Sequence, residues 1–154
     1  MAMIDSRKLQ PRLLSSWRYI PVEVAPIAAR RVMSKLSQMG SVNPAIRKLH
    51  GAKHGPLKTD QGFFIIDAPF PVPLLTRQDV AAGMEGGGKN GVWEVEHLAH
   101  SIKDIVGVLE VGLFAGPTGP QAQAQFQNQL GGERPVAAYF GMPDGSVKVR
   151  KAVQ

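Results

Sequence analysis

Three short groups of residues have types and spacings that could support chemistry, and the four histidines are the first. They form two pairs, His50 with His54 and His97 with His100. A metal ion needs three or four converging ligands and a second shell that orients them. Because neither pair has a recognisable third ligand, we interpret the histidines as exposed or hydrogen-bonded surface residues and predict no metal site.

The second group is a run of three glycines at residues 86–88, followed by Lys89. Such a run could cradle a phosphate group, since phosphate-binding loops combine glycines and a lysine in the spacing G-x-x-x-x-G-K-[ST] directly after a strand. This run has neither that spacing nor an adjoining predicted strand. We therefore interpret it as a flexible loop.

The third group is residues 5–8, Asp-Ser-Arg-Lys, which directly follow the apolar residues 2–4. The apolar residues indicate the end of a strand. Open α/β sheets bind their ligands beyond the carboxyl ends of their strands. Lys8 is therefore a candidate ligand-binding residue, and a solvated lysine near a terminus is the plainer interpretation.

Composition narrows the classes of protein that this chain can be. Its 154 residues suit one domain, or one domain with appendages. It has no cysteine, which excludes a disulfide scaffold, a thiolate zinc site, an iron–sulfur cluster and a cysteine nucleophile. The net charge is +6, and residues 1–58 hold eleven Lys and Arg against two acidic residues. A basic half suits nucleic acid, a phosphorylated small molecule, an acidic protein surface or a plain solvated surface.

The sequence also predicts a compartment. Residues 1–10 contain no apolar core of a signal peptide. No apolar run approaches the roughly 18 residues of a membrane span. We therefore expect a cytoplasmic protein that does not bind membranes.

The elements that must position these groups are predicted in the order β-α-β-β-α-β. Residues 19–25 are β-branched and flanked by prolines, which predicts a strand, and a helix follows from Pro26 to a stop at Gly40. Residues 45–49 predict a second strand, and residues 56–67 predict a hairpin. The buried face of the helix is expected to comprise Ala29, Val32, Met33 and Leu36.

The second half of this pattern again contains a predicted strand, a helix and a further strand. Residues 63–66 are apolar on both sides of the pleat, so this strand is expected at the centre of a sheet. Residues 69–91 predict a long loop with one helical turn, followed by a helix over 93–106 and a strand over 108–114. The buried face of that helix is expected to comprise Val95, Leu98, Ile102 and Ile105. This order is that of a ferredoxin-like α+β sandwich.

A ferredoxin-like order with a basic half also occurs in RNA-recognition modules, which stack bases on aromatic residues of the sheet. Their signature places the aromatics at alternating positions. Phe63 and Phe64 are adjacent, so they point to opposite faces of a strand. We therefore expect no nucleic-acid binding and place both phenylalanines in the core.

The amino-acid composition changes after residue 114. Residues 115–135 hold five glutamines among small residues, with Gly and Pro at both ends. This composition buries too little apolar area to offset the entropy of ordering, which predicts a disordered insert. Residues 136–150 predict a terminal hairpin with a proline-led turn at residues 142–146.

Five segments, in this order along the chain, resemble the second half of the type A ribose-5-phosphate isomerases, with the eukaryotic, fungal-like branch closest. No single segment is decisive, but five in the family's order are highly specific. The segments are DSRK at 5–8, IPVEVAP at 20–26, GPLKTDQGFFIID at 55–67, GVLEVGLF at 107–114 and YFGMPDGSV at 139–147.

The resemblance implies an aldose–ketose isomerase that interconverts ribose 5-phosphate and ribulose 5-phosphate without a metal or organic cofactor. In the family, the glutamate base, its aspartate pair and its phosphate loop precede the segments matched here. The resemblance therefore implies no catalytic residue in this chain and one substrate-binding residue, Lys8. It also implies a homo-oligomer, and we expect the chain to be a C-terminal portion that is inactive alone.

The resemblance also implies how the chain is divided. Residues 1–18 are expected to be a remnant of a catalytic α/β domain with its connector, and residues 19–116 the ferredoxin-like small domain. Residues 117–135 are the low-complexity insert, and residues 136–154 are a hairpin that returns to the catalytic domain. The alternative is a non-enzymatic ferredoxin-like module that binds a small molecule or a protein.

Overall fold

The computed structural model describes residues 2–49, 55–70, 74–125 and 134–152. The chain divides into a terminal unit, residues 1–11 with 114–154, and a central unit, residues 12–113. The strands are β1 Ala2–Asp5, β2 Tyr19–Val24, β3 Ala45–Ile46, β4 Phe64–Pro69, β5 Val108–Val111, β6 Ala137–Gly141 and β7 Val147–Lys151. The α-helices are α1 Ala29–Gln38, α2 Arg77–Ala81, α3 Val95–Lys103 and α4 Gly119–Gln125.

The sheet of the central unit has the strand order β3-β4-β2-β5, and each neighbouring pair is antiparallel. Successive side chains of a strand point to opposite faces, and β2 accordingly alternates between half-buried and buried residues. The buried set comprises Ile20, Val22 and Val24 on β2 with Ile66 and Ala68 on β4. One face of this sheet therefore carries the apolar core of the unit.

Helices α1 and α3 supply the other side of that core, because α1 contacts β4 and α3 contacts β5. Their buried residues recur at helical spacing: Ala29, Val32 and Leu36 on α1, and Leu98, Ala99 and Ile102 on α3. Most of the predicted helical core is thus confirmed. Met33, Val95 and Ile105 are only half-buried.

The predicted strands of this unit are observed with shorter bounds. The central position predicted for the strand that starts near Phe64 is confirmed, since β4 lies between β3 and β2. The predicted strand over 45–49 is reduced to β3. The predicted hairpin over 56–67 is mainly a turn, in which the Thr59 N–H donates to the Phe63 carbonyl at 2.9 Å.

Phe63 and Phe64 are half-buried, which corrects their expected place in the core. The reason is their position, because Phe63 closes the turn that starts at Thr59 and Phe64 is the first residue of β4. A side chain at the end of a sheet is covered on fewer sides than one in the middle of a strand.

The loop predicted over residues 69–91 contains the expected helical turn, which is α2, and a second 3-10 turn at Lys89–Gly91. α2 begins with a capping box, in which the Thr76 and Asp79 side chains each accept from the other's backbone N–H. α3 begins two residues later than predicted, because Glu94 caps it by accepting from the backbone N–H groups of Glu96 and His97.

The terminal unit contains a separate sheet of order β1-β6-β7. β1 runs parallel to β6, while β6 and β7 form an antiparallel hairpin. The turn of this hairpin is the predicted one, with the Met142 N–H donating to the Ser146 carbonyl at 2.9 Å and Gly145 at φ +82°. The terminal hairpin predicted over 136–150 is therefore confirmed.

Helix α4 contradicts the prediction of disorder at the start of the glutamine-rich segment. Gln121 holds its first turn, because the Gln121 carbonyl oxygen accepts from the Thr118 N–H and from the Thr118 hydroxyl, both at 3.0 Å. Thr118-x-x-Gln121 is the sequence of a capping box, a local signal that the composition conceals. Residues 126–133 lie outside the described part of the chain.

The fold class is mixed α and β, with two sheets and four α-helices in the described residues. From β2 to β5 the order is β-α-β-β-α-β, with α2 inserted before α3; the ferredoxin-like assignment stays a prediction. Among the described helices, none combines the length and apolar character that crossing a bilayer requires.

Candidate functional site

Lys8 lies in a short turn at the end of a strand of the terminal unit. β1 ends at Asp5, which is in register with Gly141 of the parallel strand β6. A 3-10 turn over Ser6–Lys8 follows at once, and the Lys8 side chain is exposed. Because the carboxyl ends of parallel strands share one edge of a sheet, Lys8 lies where such sheets bind their ligands.

Asp5 shapes this turn from its N-terminal side. Its carboxylate accepts from the Arg7 backbone N–H at 2.8 Å and from the Arg7 guanidinium at 2.9 Å. The side-chain hydrogen bond from Arg7, followed by the backbone one, lowers the pKa of Asp5 below its ordinary value. Asp5 is therefore an ionised cap of the turn and a poor proton acceptor.

The hairpin turn between β6 and β7 lies at the same edge of the sheet, because β6 ends beside β1. Its acidic residue, Asp144, accepts from the Ser146 hydroxyl at 2.6 Å and from the Ser146 N–H at 2.9 Å. These hydrogen bonds lower the pKa of Asp144. Asp144 thus serves the turn. The exposed cations at this edge include Lys8 and Arg7, and the Arg7 guanidinium pairs with Asp5.

The central unit holds a separate open cleft of about 390 Å³ between α2 and α3. Its lining residues are Arg77, Val80, Glu94, Glu96, His97 and His100. The Arg77 guanidinium pairs with the Glu96 carboxylate, and buried Glu94 caps α3. The charged groups of the cleft therefore join the two helices, and we interpret the cleft as structural.

Two of the four histidines lie on this cleft. His97 and His100 are exposed on α3, which confirms the interpretation as surface residues. The second pair, His50 and His54, lies outside the described residues. In the described ranges, no three or more His, Cys, Asp or Glu side chains are grouped so that they could hold a metal ion.

The glycine run at 86–88 is a packed segment, which corrects its interpretation as a flexible loop. Gly87 forms a β-bridge with Trp93, and the Gly88 N–H donates to the Val92 carbonyl at 2.8 Å. A Cβ added at Gly88 would overlap the Trp93 ring. Gly88 thus permits close packing of the segment on an aromatic ring.

Sequence reasoning identified Lys8 at the candidate edge but not the residues that hold its turn or line the cleft. No sequence motif points to Arg77, Glu94 or Glu96. A cap at Glu94 could have been found from the start of the apolar pattern of α3. The Arg77–Glu96 pair joins two helices across a loop, so no local spacing signals it.

Comparisons with known proteins show which family the chain is similar to. The family model of ribose 5-phosphate isomerase A (phosphoriboisomerase A) matches residues 1–124. A ribose-5-phosphate isomerase of Cryptococcus neoformans is 36% identical over 95% of this chain, and one of Dictyostelium discoideum is 35% identical over 95%. The chain spans only 40% and 48% of those two relatives.

Solved structures show the same likeness. The ribose 5-phosphate isomerase A of Methanocaldococcus jannaschii matches 97% of this chain with a TM-score of 0.62 and 28% identity, over 48% of its own length. A D-ribose-5-phosphate isomerase in complex with phospho-erythronic acid matches 97% of this chain with a TM-score of 0.57 and 26% identity, again over 48% of its length.

Proposed function

The chain belongs to the ribose 5-phosphate isomerase A family, and we propose that it carries the substrate-binding Lys8 of an enzyme that interconverts ribose 5-phosphate and ribulose 5-phosphate. The observation that carries the proposal is the exposed turn of Lys8 at the carboxyl end of β1. This turn lies within the residues that match the family model.

The proposed role of Lys8 is that of a point-charge donor to the sugar phosphate. A lysine ammonium has three rotatable donors and suits an anionic oxygen. A hydrogen bond to a charged group is worth about 1.5–3 kcal/mol net. That corresponds to about one to two orders of magnitude in affinity or rate.

We propose that the proton transfer itself is carried out by groups outside the described residues. Isomerisation moves a proton between C2 and C1 through an enediolate, which requires a general base and donors for the oxyanion. The two acidic residues described in the terminal unit are Asp5 and Asp144, and both are occupied by hydrogen bonds that lower their pKa. A carboxylate with a lowered pKa is a weak base at neutral pH.

The proposal also covers the oligomeric state and the cellular compartment. We propose a homo-oligomer that works in the cytoplasm on a free, soluble sugar phosphate. The structure of one isomerase holds phospho-erythronic acid. This ligand is a phosphorylated sugar acid, which supports a phosphorylated sugar as the substrate class.

The test uses a chimera in which this chain replaces the matched part of the Dictyostelium discoideum relative. We expect the chimera to isomerise ribose 5-phosphate and the 154-residue chain alone to show no measurable turnover. Lys8→Met should lower kcat/KM of the chimera by about ten- to a hundredfold. Lys151→Met is the matched control, because Lys151 is an exposed lysine of the same unit.

Arg12 would be a poor control, because its guanidinium binds the Asp79 carboxylate at 2.8 Å and its loss would disturb α2. Equal losses in Lys8→Met and Lys151→Met would show that diffuse positive charge, not Lys8, assists the substrate. A chimera that folds but shows no isomerase activity would favour a non-enzymatic module.

A further inference from the structure

A long-range hydrogen bond joins the C-terminal hairpin to the segment that carries Lys8. The Arg150 guanidinium on β7 donates from Nη1 to the Gln10 carbonyl oxygen at 2.8 Å. The two residues are 140 positions apart in the sequence and belong to the same unit. Gln10 is two residues beyond Lys8, so this contact lies just after the turn.

The register of the sheet places Arg150 level with the start of β1, three residues before the end that carries the Lys8 turn. Arg150 pairs with Ala138 of β6, which pairs with Ala2 of β1. Side chains alternate along a strand, so Arg150 lies on the face that also carries buried Phe140. The neighbouring Lys151 projects from the opposite face of β7 and is a natural comparison.

The Lys8 turn is consequently held on both sides. On its N-terminal side Asp5 caps it, and inside it the Leu9 N–H donates to the Ser6 carbonyl at 2.9 Å. A three-residue 3-10 turn has few internal hydrogen bonds, so the anchor on its C-terminal side limits how far its backbone can move. A lysine side chain is long and flexible, and its useful placement depends on a fixed backbone.

We propose that Arg150 is a positioning residue that holds the Gln10 carbonyl and thereby presents the Lys8 ammonium to the phosphorylated substrate. This inference rests on the proposed function for its substrate, and on the Arg150–Gln10 contact for its geometry. The inference gives strand β7 a part in substrate binding. No sequence motif near Arg150 indicates that part.

The experiment uses NMR on the 154-residue chain and three variants, Arg150→Met, Arg150→Lys and Lys151→Met. The first measurement is hydrogen exchange of the Leu9 amide. We expect faster exchange in Arg150→Met, partial recovery in Arg150→Lys, which keeps a charged donor, and no change in Lys151→Met. The second is a titration of the chimera described above with ribose 5-phosphate, in which Arg150→Met should weaken binding about tenfold, as expected if the Lys8 ammonium loses its charged hydrogen bond to the substrate.

The outcomes separate this inference from the function on which it rests. Unchanged Leu9 exchange and unchanged affinity in a folded Arg150→Met chain would overturn the positioning role. Equal effects of Arg150→Met and Lys151→Met would also overturn it, since they would indicate charge alone. Faster Leu9 exchange in Arg150→Met without any binding of ribose 5-phosphate by the otherwise unmodified chimera would support the anchor and count against the proposed substrate. If the Arg150→Met chain does not fold, the positioning role is tested with Arg150→Lys alone. Its Leu9 amide should then exchange faster than in the unmodified chain, and unchanged exchange would overturn the role.

Discussion

Among single residues, Gly88 occupies a position where the fold leaves no room for a side chain. Gly88 has φ +88°, a left-handed conformation that favours glycine. The Trp93 ring occupies the space where a Cβ would lie. Trp93 in turn donates from its indole N–H to the Met39 carbonyl at 2.9 Å, at the end of α1. The close approach at Gly88 therefore allows Trp93 to join the loop to α1.

We predict that Gly88→Ala lowers the free energy of unfolding through two effects. The left-handed backbone costs roughly 1–2 kcal/mol for a residue with a Cβ, and overpacking against the ring costs typically 1–3 kcal/mol. Urea denaturation followed by Trp fluorescence measures the loss.

Gly87→Ala is the matched control, because nothing lies within 4 Å of a Cβ built at Gly87. Its free energy of unfolding should stay close to that of the unmodified chain. Similar losses at both positions would show that the segment responds to any added methyl group, and would remove the special role of the Trp93 contact.

At the scale of elements, α2 is stabilised by an ion pair to a residue far away in the sequence. The Asp79 carboxylate accepts from the Arg12 guanidinium at 2.8 Å and 2.9 Å, and from the Thr76 backbone N–H at 2.7 Å. The Arg12 side-chain hydrogen bond, followed by those from Thr76, lowers the pKa of Asp79 well below its ordinary range. The charged form of Asp79 is therefore favoured in the folded chain.

We predict that this carboxylate makes stability depend on pH. Because its pKa is lower in the folded than in the unfolded chain, its contribution is present above the ordinary aspartate value of about 3.9 and is lost as the pH falls further. Asp79→Asn should lower Tm at pH 7, and the difference from the unmodified chain should shrink at pH values below about 4.

The substitution keeps an acceptor for the capping box, so it tests the charge and not the cap. Asp60→Asn, in the exposed turn before β4, is the control and should leave the pH profile of Tm unchanged. An Asp79→Asn difference that stays constant from pH 7 to pH 2 would contradict the linkage.

Helix α4 provides a second prediction at this scale, because its first turn depends on one side chain. Gln121→Ala removes the acceptor for the Thr118 N–H, which should weaken the helix by about 0.5–1.5 kcal/mol, the net value of a typical hydrogen bond. Faster hydrogen exchange of the Ala122 amide, which donates to the Thr118 carbonyl, would report the loss.

Gln123→Ala changes the same residue type on an exposed position of the same helix. Alanine is the best helix former, so this control should slow Ala122 exchange or leave it unchanged. Faster exchange in both variants would mean that the cap is not what holds α4.

At the scale of the whole molecule, the sheet of the terminal unit leaves an apolar face open. Register places Met3, Tyr139 and Val149 in one row across the three strands, with Val147 beside them. Met3 is 83% exposed, Val147 61% and Val149 45%. Uncovered apolar faces and open strand edges favour association.

We predict that this face brings two copies of the chain together at high concentration. Sedimentation velocity should show an increasing mean mass with concentration, which Met3→Gln combined with Val149→Thr reduces. Ile27→Thr is the control, because Ile27 is 98% exposed but belongs to the central unit. A concentration-independent monomer, or an equal effect of Ile27→Thr, would contradict the prediction.

Features that depend on neighbouring residues could be predicted from the sequence. Three of them are short-range signals: the β-branched residues of β2 between prolines, the helical spacing of Val32 and Leu36 in α1, and the proline-led turn after β6. Such signals act within a turn or two of the chain, so composition and spacing are sufficient to find them. The ordered family segments, including the one that ends at Lys8, carried the family assignment.

Only the tertiary structure decided which distant residues meet. It pairs β1 with β6, joins Arg12 to Asp79, presses Gly88 against Trp93 and anchors Gln10 to Arg150. The physical reason is that each of these contacts depends on the packing of a sheet or helix formed elsewhere, and no spacing within one segment encodes it. The same reason explains why a local motif is enough to propose Lys8, whereas no local motif points to Arg150, which contacts Gln10 beyond the Lys8 turn.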